Sequence, residues 1–408
     1  MPNTRIVIVG AGQAGGAAAA FLRAAGHAGP LTLIGTERHA PYQRPALSKA
    51  FLKGAVTADS LKLRTDAFYA ERNIDLRRGV TVTQVDRAAQ RVTCDDGTAL
   101  DYDWLILATG STARRLTVPG ADLDGVQLLR TLDDAEALRS HLAPGHRLAI
   151  IGGGYVGLEA AATARLLSAD AVIVEREARL LARVAAAPLA DFFAAEHARQ
   201  GVEIIVNAEV AAIEGDGGKA CAVRLADGRR LACDAVLVGI GGAACEGLAA
   251  DAGLACDSGV VVDGDGRTSD PHILAIGDTT RRPLPHDGDR PHRLESVPNA
   301  VEQARRAANV ILGLAQPAHE IPWFWSDQYD LKLQIAGLAF DTDALVLRGD
   351  PAARKFALFH LRGGAVRAVE AVNSIPEFMA GKALIASGRI VNPARLADTA
   401  VPAKSLLA

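Results

Sequence analysis

The sequence predicts an α/β chain with two Rossmann-like domains and an α+β C-terminal domain. Three observations carry that prediction. Two glycine-rich turns each sit between a short apolar run and a helix-prone stretch. The order of turns and strands after the first turn repeats after the second. The length of 408 residues leaves room for about two to four domains. A hydrophobic fraction of 49% and a charged fraction of 22% fit globular domains and not a disordered chain. Glycine, 40 residues, exceeds the usual share of about 7%, and its positions explain the excess.

The first element is the strand at Arg5–Gly10, a continuously apolar run of the kind buried on both faces of a parallel sheet. Gly10, Gly12 and Gly15 follow at G-x-G-x-x-G spacing, with Ala14 inside the loop. The alanine-rich stretch Gly16–Ala25 predicts a helix. Leu31–Ile34 predicts the next strand, which ends at Thr36 and Glu37. Strand, glycine turn, helix, strand and acid is the order of a dinucleotide-binding unit. The first glycine permits the tight turn, the second lets backbone approach a pyrophosphate, and the third lets helix and strand pack. The helix N-terminus then faces the phosphate charge.

The second set begins with the strand Arg147–Ile151, then Gly152, Gly153, Gly154, Tyr155, Val156 and Gly157. A helix at Leu158–Leu167 and a strand at Ala171–Val174 follow, ending at Glu175, 18 residues past Gly157. A carboxylate there accepts a ribose 2′-hydroxyl and repels a 2′-phosphate, which favours NADH over NADPH. Arg176 weakens this preference without reversing it.

Each set continues with a hairpin turn, Asp96-Gly97 or Asp227-Gly228, and a strand closing on Gly110 or Gly241. The final glycine lies 13 positions after the turn glycine in both sets. Thr268–Asp278 adds a buried strand ending in Gly277-Asp278. That pair reads as an ordinary turn or as a carboxylate facing a polyol, such as the ribityl chain of a flavin. Ala108-Thr109-Gly110 on the neighbouring strand end favours the flavin.

The totals exclude several function classes. A net charge of −3 gives no basic surplus for nucleic acid. No apolar run reaches the 18 or so residues of a membrane span. Ile6–Val9 is too short for a signal peptide core, so a cytoplasmic protein is expected. The five cysteines, Cys94, Cys221, Cys233, Cys245 and Cys256, are odd in number with no Cys-x-x-Cys pair. This disfavours a disulfide framework, a zinc site and a redox dithiol. His286, Asp287, Asp289 and His292 crowd one segment without ligand spacing, so a hairpin or loop is expected there and no metal.

Four longer stretches are more specific. They are Arg44-Pro45-Ala46-Leu47-Ser48-Lys49, Leu129–Ala135 (Leu-Arg-Thr-Leu-Asp-Asp-Ala), Glu295–Ala300 (Glu-Ser-Val-Pro-Asn-Ala) and Trp323–Gln328 (Trp-Phe-Trp-Ser-Asp-Gln). On these, nearly the whole chain resembles the two-dinucleotide flavoproteins of the glutathione-reductase type. More closely, it resembles the NADH-dependent ferredoxin reductases of bacterial oxygenase systems, the last two stretches being nearest to the putidaredoxin-reductase-like branch.

The resemblance implies an FAD domain split over 1–115 and 242–320, an NADH domain at 116–241 and a C-terminal domain at 321–408. It implies a hydride from NADH to FAD, then single electrons to an acidic [2Fe–2S] ferredoxin. By resemblance Lys49 sits near flavin N5 and pairs with Glu159, which could also accept from the nicotinamide amide. Gly10, Gly12, Ala14, Gly15, Thr36, Glu37, Val82 and Arg130 are expected on the FAD pyrophosphate and adenosine end, and Arg44 is a further cofactor-binding candidate beside the alternative of an ordinary surface arginine. Ala108, Thr109, Gly110, Gly277, Asp278, Val297 and Trp325 are expected on its ribityl and ring end. Gly152, Gly154, Tyr155, Val156, Gly157, Glu175 and Gly241 are expected on NADH.

Alternation puts Trp323 and Trp325 on one strand face, as domain core or as lining between flavin and partner. Arg305 and Arg306 are candidate ferredoxin contacts beside the alternative of a solvated helix face. The terminal oxygenase is read as a cytochrome P450. A Rieske-type dioxygenase stays open, as does a non-enzymatic NADH–flavin redox sensor. A monomer is expected.

Overall fold

The computed structural model describes residues 3–407, and the chain divides into two compact units. The first comprises Met1–Gln43, Leu61–Thr112 and Ala243–Pro322; the second comprises Arg44–Ser60, Ala113–Gly242 and Trp323–Ala408.

The first unit is built on a parallel sheet with strand order Ile273–Ala275, Trp104–Leu107, Ile6–Val9, Leu31–Gly35, Asp75–Arg78. Both faces of its central strand are covered, which explains the unbroken apolar run. Ile6 and Ile8 pack with Ala14, Ala18, Leu22, Ala304 and Ala307 on the helical side. Val7 and Val9 pack with Val82, Val85, Val92 and Tyr102 on the other. Small residues on the helices Gln13–Ala24 and Val297–Leu312 let the two lie close. An antiparallel meander, Val82–Asp86, Arg91–Cys94 and Ala99–Asp101, turns at Gly97, where φ is +82°.

The second unit repeats the plan with the parallel order Glu203–Ile205, Asp170–Val174, Arg147–Ile151, Ala235–Val238, Val126–Gln127. Its meander is Val210–Asp216, Lys219–Leu225 and Arg230–Ala232. A five-stranded antiparallel sheet follows, in the order Trp323–Gln328, Leu331–Gly337, Ala365–Val372, Lys355–Arg362, Ala344–Asp350. The helix Ile375–Ser387 lies on it at Gly381, where an added Cβ would come 2.4 Å from Val369 Cγ1.

Two features differ from the expected division. The C-terminal sheet shares one core with the second parallel sheet, since Leu331, Leu333 and Phe356 cluster with Ile150, Leu158 and Phe193. Residues 44–60, expected in the first domain, pack in the second unit. Leu52 is fully buried with Leu138 and Leu142, and the Arg139 guanidinium lies 5.2 Å from the Phe51 ring centroid.

The segment 281–293 forms a hairpin, Thr280–Leu284 against Arg290–His292, in which Asp287 pairs with His292 at 2.6 Å. Among the described residues, no group of three or more His, Cys, Asp and Glu is placed to hold a metal ion. No described helix is long and apolar enough to cross a membrane.

Candidate nucleotide and redox site

The first glycine loop is shaped by close backbone approach. Gly10 has φ +112°, and a Cβ there would lie 2.1 Å from the Ala108 carbonyl oxygen. A Cβ on Gly15 would lie 1.9 Å from the Gly10 oxygen. Neither position admits a side chain. The helix Gln13–Ala24 begins after Gly12 with no side-chain cap, so its first-turn amides suit a phosphate group.

The loop sits at the C-terminal ends of the strands that carry Ala108–Gly110 and Gly277–Asp278. Thr109 Oγ1 donates to Cys245 O at 2.7 Å and lies 3.2 Å from Thr279 Oγ1. Ser111 Oγ donates to Asp278 Oδ2 at 3.3 Å. The Gly277 amide donates to Gln303 Oε1 at 3.1 Å, and Gly277 adjoins Ala14. Val297 starts its helix behind Ser296, whose hydroxyl accepts from the Asn299 amide. At the far end of the second strand, Tyr42 OH donates to Glu37 Oε2 at 2.6 Å and Thr81 Oγ1 meets Thr36 Oγ1 at 3.3 Å. Val82 is buried opposite Cys94. The structure thus gathers Gly10, Gly12, Ala14, Gly15, Ala108, Thr109, Gly110, Gly277 and Asp278. Arg44, Lys49, Arg130 and Trp325 belong to the second unit.

The second loop repeats the geometry. Gly152 has φ +108° and its Cβ would lie 2.4 Å from Gly239 O; on Gly157 it would lie 2.4 Å from Gly152 O. The helix Tyr155–Leu166 also begins without a side-chain cap, after Gly154, which faces open space. It starts three residues earlier than the sequence suggests because Gly154 takes the extended N-cap conformation. Glu175 is held beside this loop, its Oε2 accepting from the Gly153 amide at 2.6 Å and its Oε1 from the Glu177 amide at 2.8 Å. Gly241 has φ +103°, and its carbonyl accepts from the Arg114 amide. Tyr155 is a packing residue: its hydroxyl donates to Val184 O at 3.2 Å and its ring meets Phe324 edge-on at 4.9 Å. Burial pushes its phenol well above the usual range. Val156 is 43% exposed.

The charged pair lies within the second unit. Lys49 Nζ is 2.7 Å from Glu159 Oε2, and Glu159 is 5% exposed. A buried carboxylate of this kind needs several donors. Ser48 Oγ donates to Oε2 at 2.5 Å and Ser326 Oγ to Oε1 at 2.7 Å. Thr163 Oγ1 fixes the Ser48 carbonyl at 2.8 Å.

Arg44 Nη1 donates to Arg130 O at 2.8 Å. The stretch around Arg130 is a helix start, with Thr131 and Asp134 in a reciprocal capping box and Asp134 also accepting from the Arg130 amide. Trp323 and Trp325 share a face with centroids 5.6 Å apart, and Trp323 also meets Phe378 and Lys382.

One candidate is corrected. Arg306 is 4% exposed and is bonded to Gly264 O, Pro317 O and Asp265. It is part of a buried network with Glu302, His319 and Arg282 and not a surface contact. Arg305 is the exposed member of the pair, its guanidinium 4.8 Å from the Phe21 centroid. Sequence reasoning also missed Ser326 and Gln328, both 1% exposed. Their alternation with Trp323, Trp325 and Asp327 is the signal of an inward polar strand face.

Residues 4–304 match the pyridine nucleotide-disulphide oxidoreductase family, and residues 323–407 match the reductase C-terminal family. The chain is 48% identical over 404 residues to the probable ferredoxin reductase CtmF of Castellaniella defragrans, covering 99% of each chain. It is 43% identical over 414 residues to putidaredoxin reductase CamA of Pseudomonas putida, covering 100% of this chain and 97% of that one. A chain in the crystal structure of the covalent putidaredoxin reductase–putidaredoxin complex matches with TM-score 0.97 at 42% identity, covering 100% of this chain and 99% of that one. The family is named for disulphide chemistry, yet all five cysteines here are thiols. Burial raises Cys94 and Cys256 and pushes Cys233 up to about 11, the opposite of a reactive thiolate. The chain belongs to the pyridine nucleotide-disulphide oxidoreductase family, among its ferredoxin reductases.

Proposed function

We propose that the chain is an FAD-dependent, NADH-driven ferredoxin reductase whose electrons go to a [2Fe–2S] ferredoxin. The observation that carries this is the pair of uncapped helix N-termini, each behind a glycine turn where a Cβ would strike backbone. Both loops fit a pyrophosphate. When bound, FAD supplies the redox chemistry, accepting a hydride from NADH and releasing electrons singly.

The residues around it bind and hold charge. Gly10, Gly12, Ala14 and Gly15 are assigned to the FAD pyrophosphate, with Thr36, Glu37 and Val82 on adenosine. Ala108, Thr109, Gly110, Gly277, Asp278 and Val297 are assigned to the ribityl and ring end, and Arg44, Arg130 and Trp325 to further FAD contacts. Gly152, Gly154, Tyr155, Val156, Gly157, Glu175 and Gly241 are assigned to NADH. Lys49 and Glu159 are the catalytic pair. The Lys49 ammonium would supply positive charge beside the bound flavin, and the Glu159 carboxylate holds that ammonium in place. Arg305 and Trp323 are the candidate ferredoxin contacts.

A cytochrome P450 is the proposed terminal oxygenase. The similarity to putidaredoxin reductase favours it over a Rieske-type dioxygenase. A cytoplasmic setting suits the five thiols, and we assign a monomer. The test is stopped-flow reduction of the FAD-loaded protein by NADH, followed by turnover with a [2Fe–2S] ferredoxin. Lys49→Met is expected to slow flavin reduction about tenfold or more. An unchanged rate removes the role of Lys49, and failure with every [2Fe–2S] protein tried removes the function.

A further inference from the structure

A continuous line of side chains runs from Glu159 through the second unit. Ser326 Oγ lies 2.7 Å from Glu159 Oε1. Gln328 Nε2 lies 3.2 Å from Ser326 Oγ. His197 Nε2 lies 2.8 Å from Gln328 Oε1, and Tyr329 OH lies 3.0 Å from His197 Nδ1. Ser326, Gln328 and His197 are each no more than 1% exposed.

The direction of every bond follows from the Glu159 end. An ionised carboxylate only accepts, so the single Ser326 proton points at Glu159. Ser326 can then only accept from Gln328, which turns the amide NH2 toward Ser326 and the amide oxygen toward His197. That oxygen needs a donor, so His197 carries its proton on Nε2 and accepts from Tyr329 at Nδ1. Four donors in series thus face the one carboxylate that pairs with Lys49.

We propose that His197 and Gln328 are positioning residues for the Lys49–Glu159 pair, acting through the Ser326 hydroxyl. The proposal rests on the assignment of Glu159 to the hydride step. His197 fixes which end of the Gln328 amide faces Ser326. Gln328 then keeps the Ser326 proton on the carboxylate, and Oε1 is held while Oε2 binds Ser48 and Lys49. Burial keeps His197 neutral, pulling it down to about 4. A protonated ring would donate from both nitrogens and reverse the Tyr329 bond, the phenol oxygen then accepting from Nδ1. The charged groups around the ring and its Tyr329 partner are Glu196, Arg199, Arg165 and Arg354.

The first test needs no turnover. Nitrogen-15 NMR of histidine-labelled protein is expected to show His197 as the neutral Nε2–H tautomer at pH 7. The Nδ1–H tautomer, which leaves no proton on Nε2 for the Gln328 oxygen, overturns the proposal.

The second test is stopped-flow flavin reduction by NADH in the FAD-loaded protein. Ser326→Ala and Gln328→Met are expected to lower the limiting rate about tenfold, with the NADH half-saturation within about twofold. Ser326→Thr keeps the hydroxyl and is expected to restore the rate. In a Glu159→Gln background, Ser326→Ala is expected to have no further effect. A slow Glu159→Gln with Ser326→Ala and Gln328→Met at the parent rate overturns the proposal alone. Glu159→Gln at the parent rate overturns the assignment beneath it and the proposal together.

Discussion

Replacing His197 by glutamine gives a second, thermodynamic handle on that buried ring. In the folded chain, burial holds His197 at about 4, whereas an unfolded histidine titrates near 6.5. Between those values the unfolded chain binds the extra proton, so stability rises with pH through this window and falls as the solution is acidified. At about 1.4 kcal/mol per pH unit, the full interval is worth about 3 kcal/mol. The contribution is intact above pH 6.5 and gone by about pH 4.

Other groups also lose stability in acid, because Asp270, Asp287 and Glu377 are held below the usual carboxylate range by Arg87, Arg290 and Ser374 respectively, among other partners. His197→Gln isolates the histidine, since glutamine reaches the same Gln328 oxygen without titrating. Urea unfolding of the second unit, read through Trp323 and Trp325 in a Trp104→Phe background, supplies the two stability curves. Their difference should be flat above pH 6.5. Below it, the parent should lose up to about 3 kcal/mol more than the variant by pH 4. Parallel curves from pH 7.5 to 4 would refute the reasoning.

Three further outcomes are expected. Gly10→Ala places a Cβ 2.1 Å from the Ala108 oxygen at φ +112°; about 2–5 kcal/mol of destabilisation and loss of bound FAD on gel filtration should follow. Glu302→Leu strands Arg282, which is 2% exposed and 2.7 Å from Glu302; a loss of about 3–5 kcal/mol is expected in the first unit's unfolding transition. Arg305→Glu should raise the apparent KM for ferredoxin and leave ferricyanide reduction unchanged, whereas equal loss in both assays would indicate a folding defect.

The glycine loops were legible because their constraint is local. Gly10 and Gly15 are five residues apart in the chain, and the clash that fixes Gly15 is with Gly10 itself. The same holds for Gly152 and Gly157. The Lys49–Glu159 pair spans 110 residues, so no spacing rule reaches it; only the likeness of the surrounding stretches did. Arg306 misled because two adjacent arginines read as a solvated face. Asn299, Glu302, Gln303 and Arg306 fall at i, i+3, i+4 and i+7, the spacing of a buried helix stripe, and all four are buried. Polar residues at that spacing hide a charged core from a reading based on hydrophobicity. His197 was silent for the same reason, lying between Glu196 and Arg199 near a helix end.

The chain passes between its two units at residues 43–44, 60–61, 112–113, 242–243 and 322–323. During synthesis, the strand Trp104–Leu107 must wait for its neighbour Ile273–Ala275. Leu52 and Ile150 must wait for Leu331 and Phe356, their partners in a shared core. Neither unit therefore has its core complete before the second half of these 408 residues is present. Such long-range pairing is slow and leaves apolar strand edges open for longer. For the same reason, no single cut in the chain separates the two units.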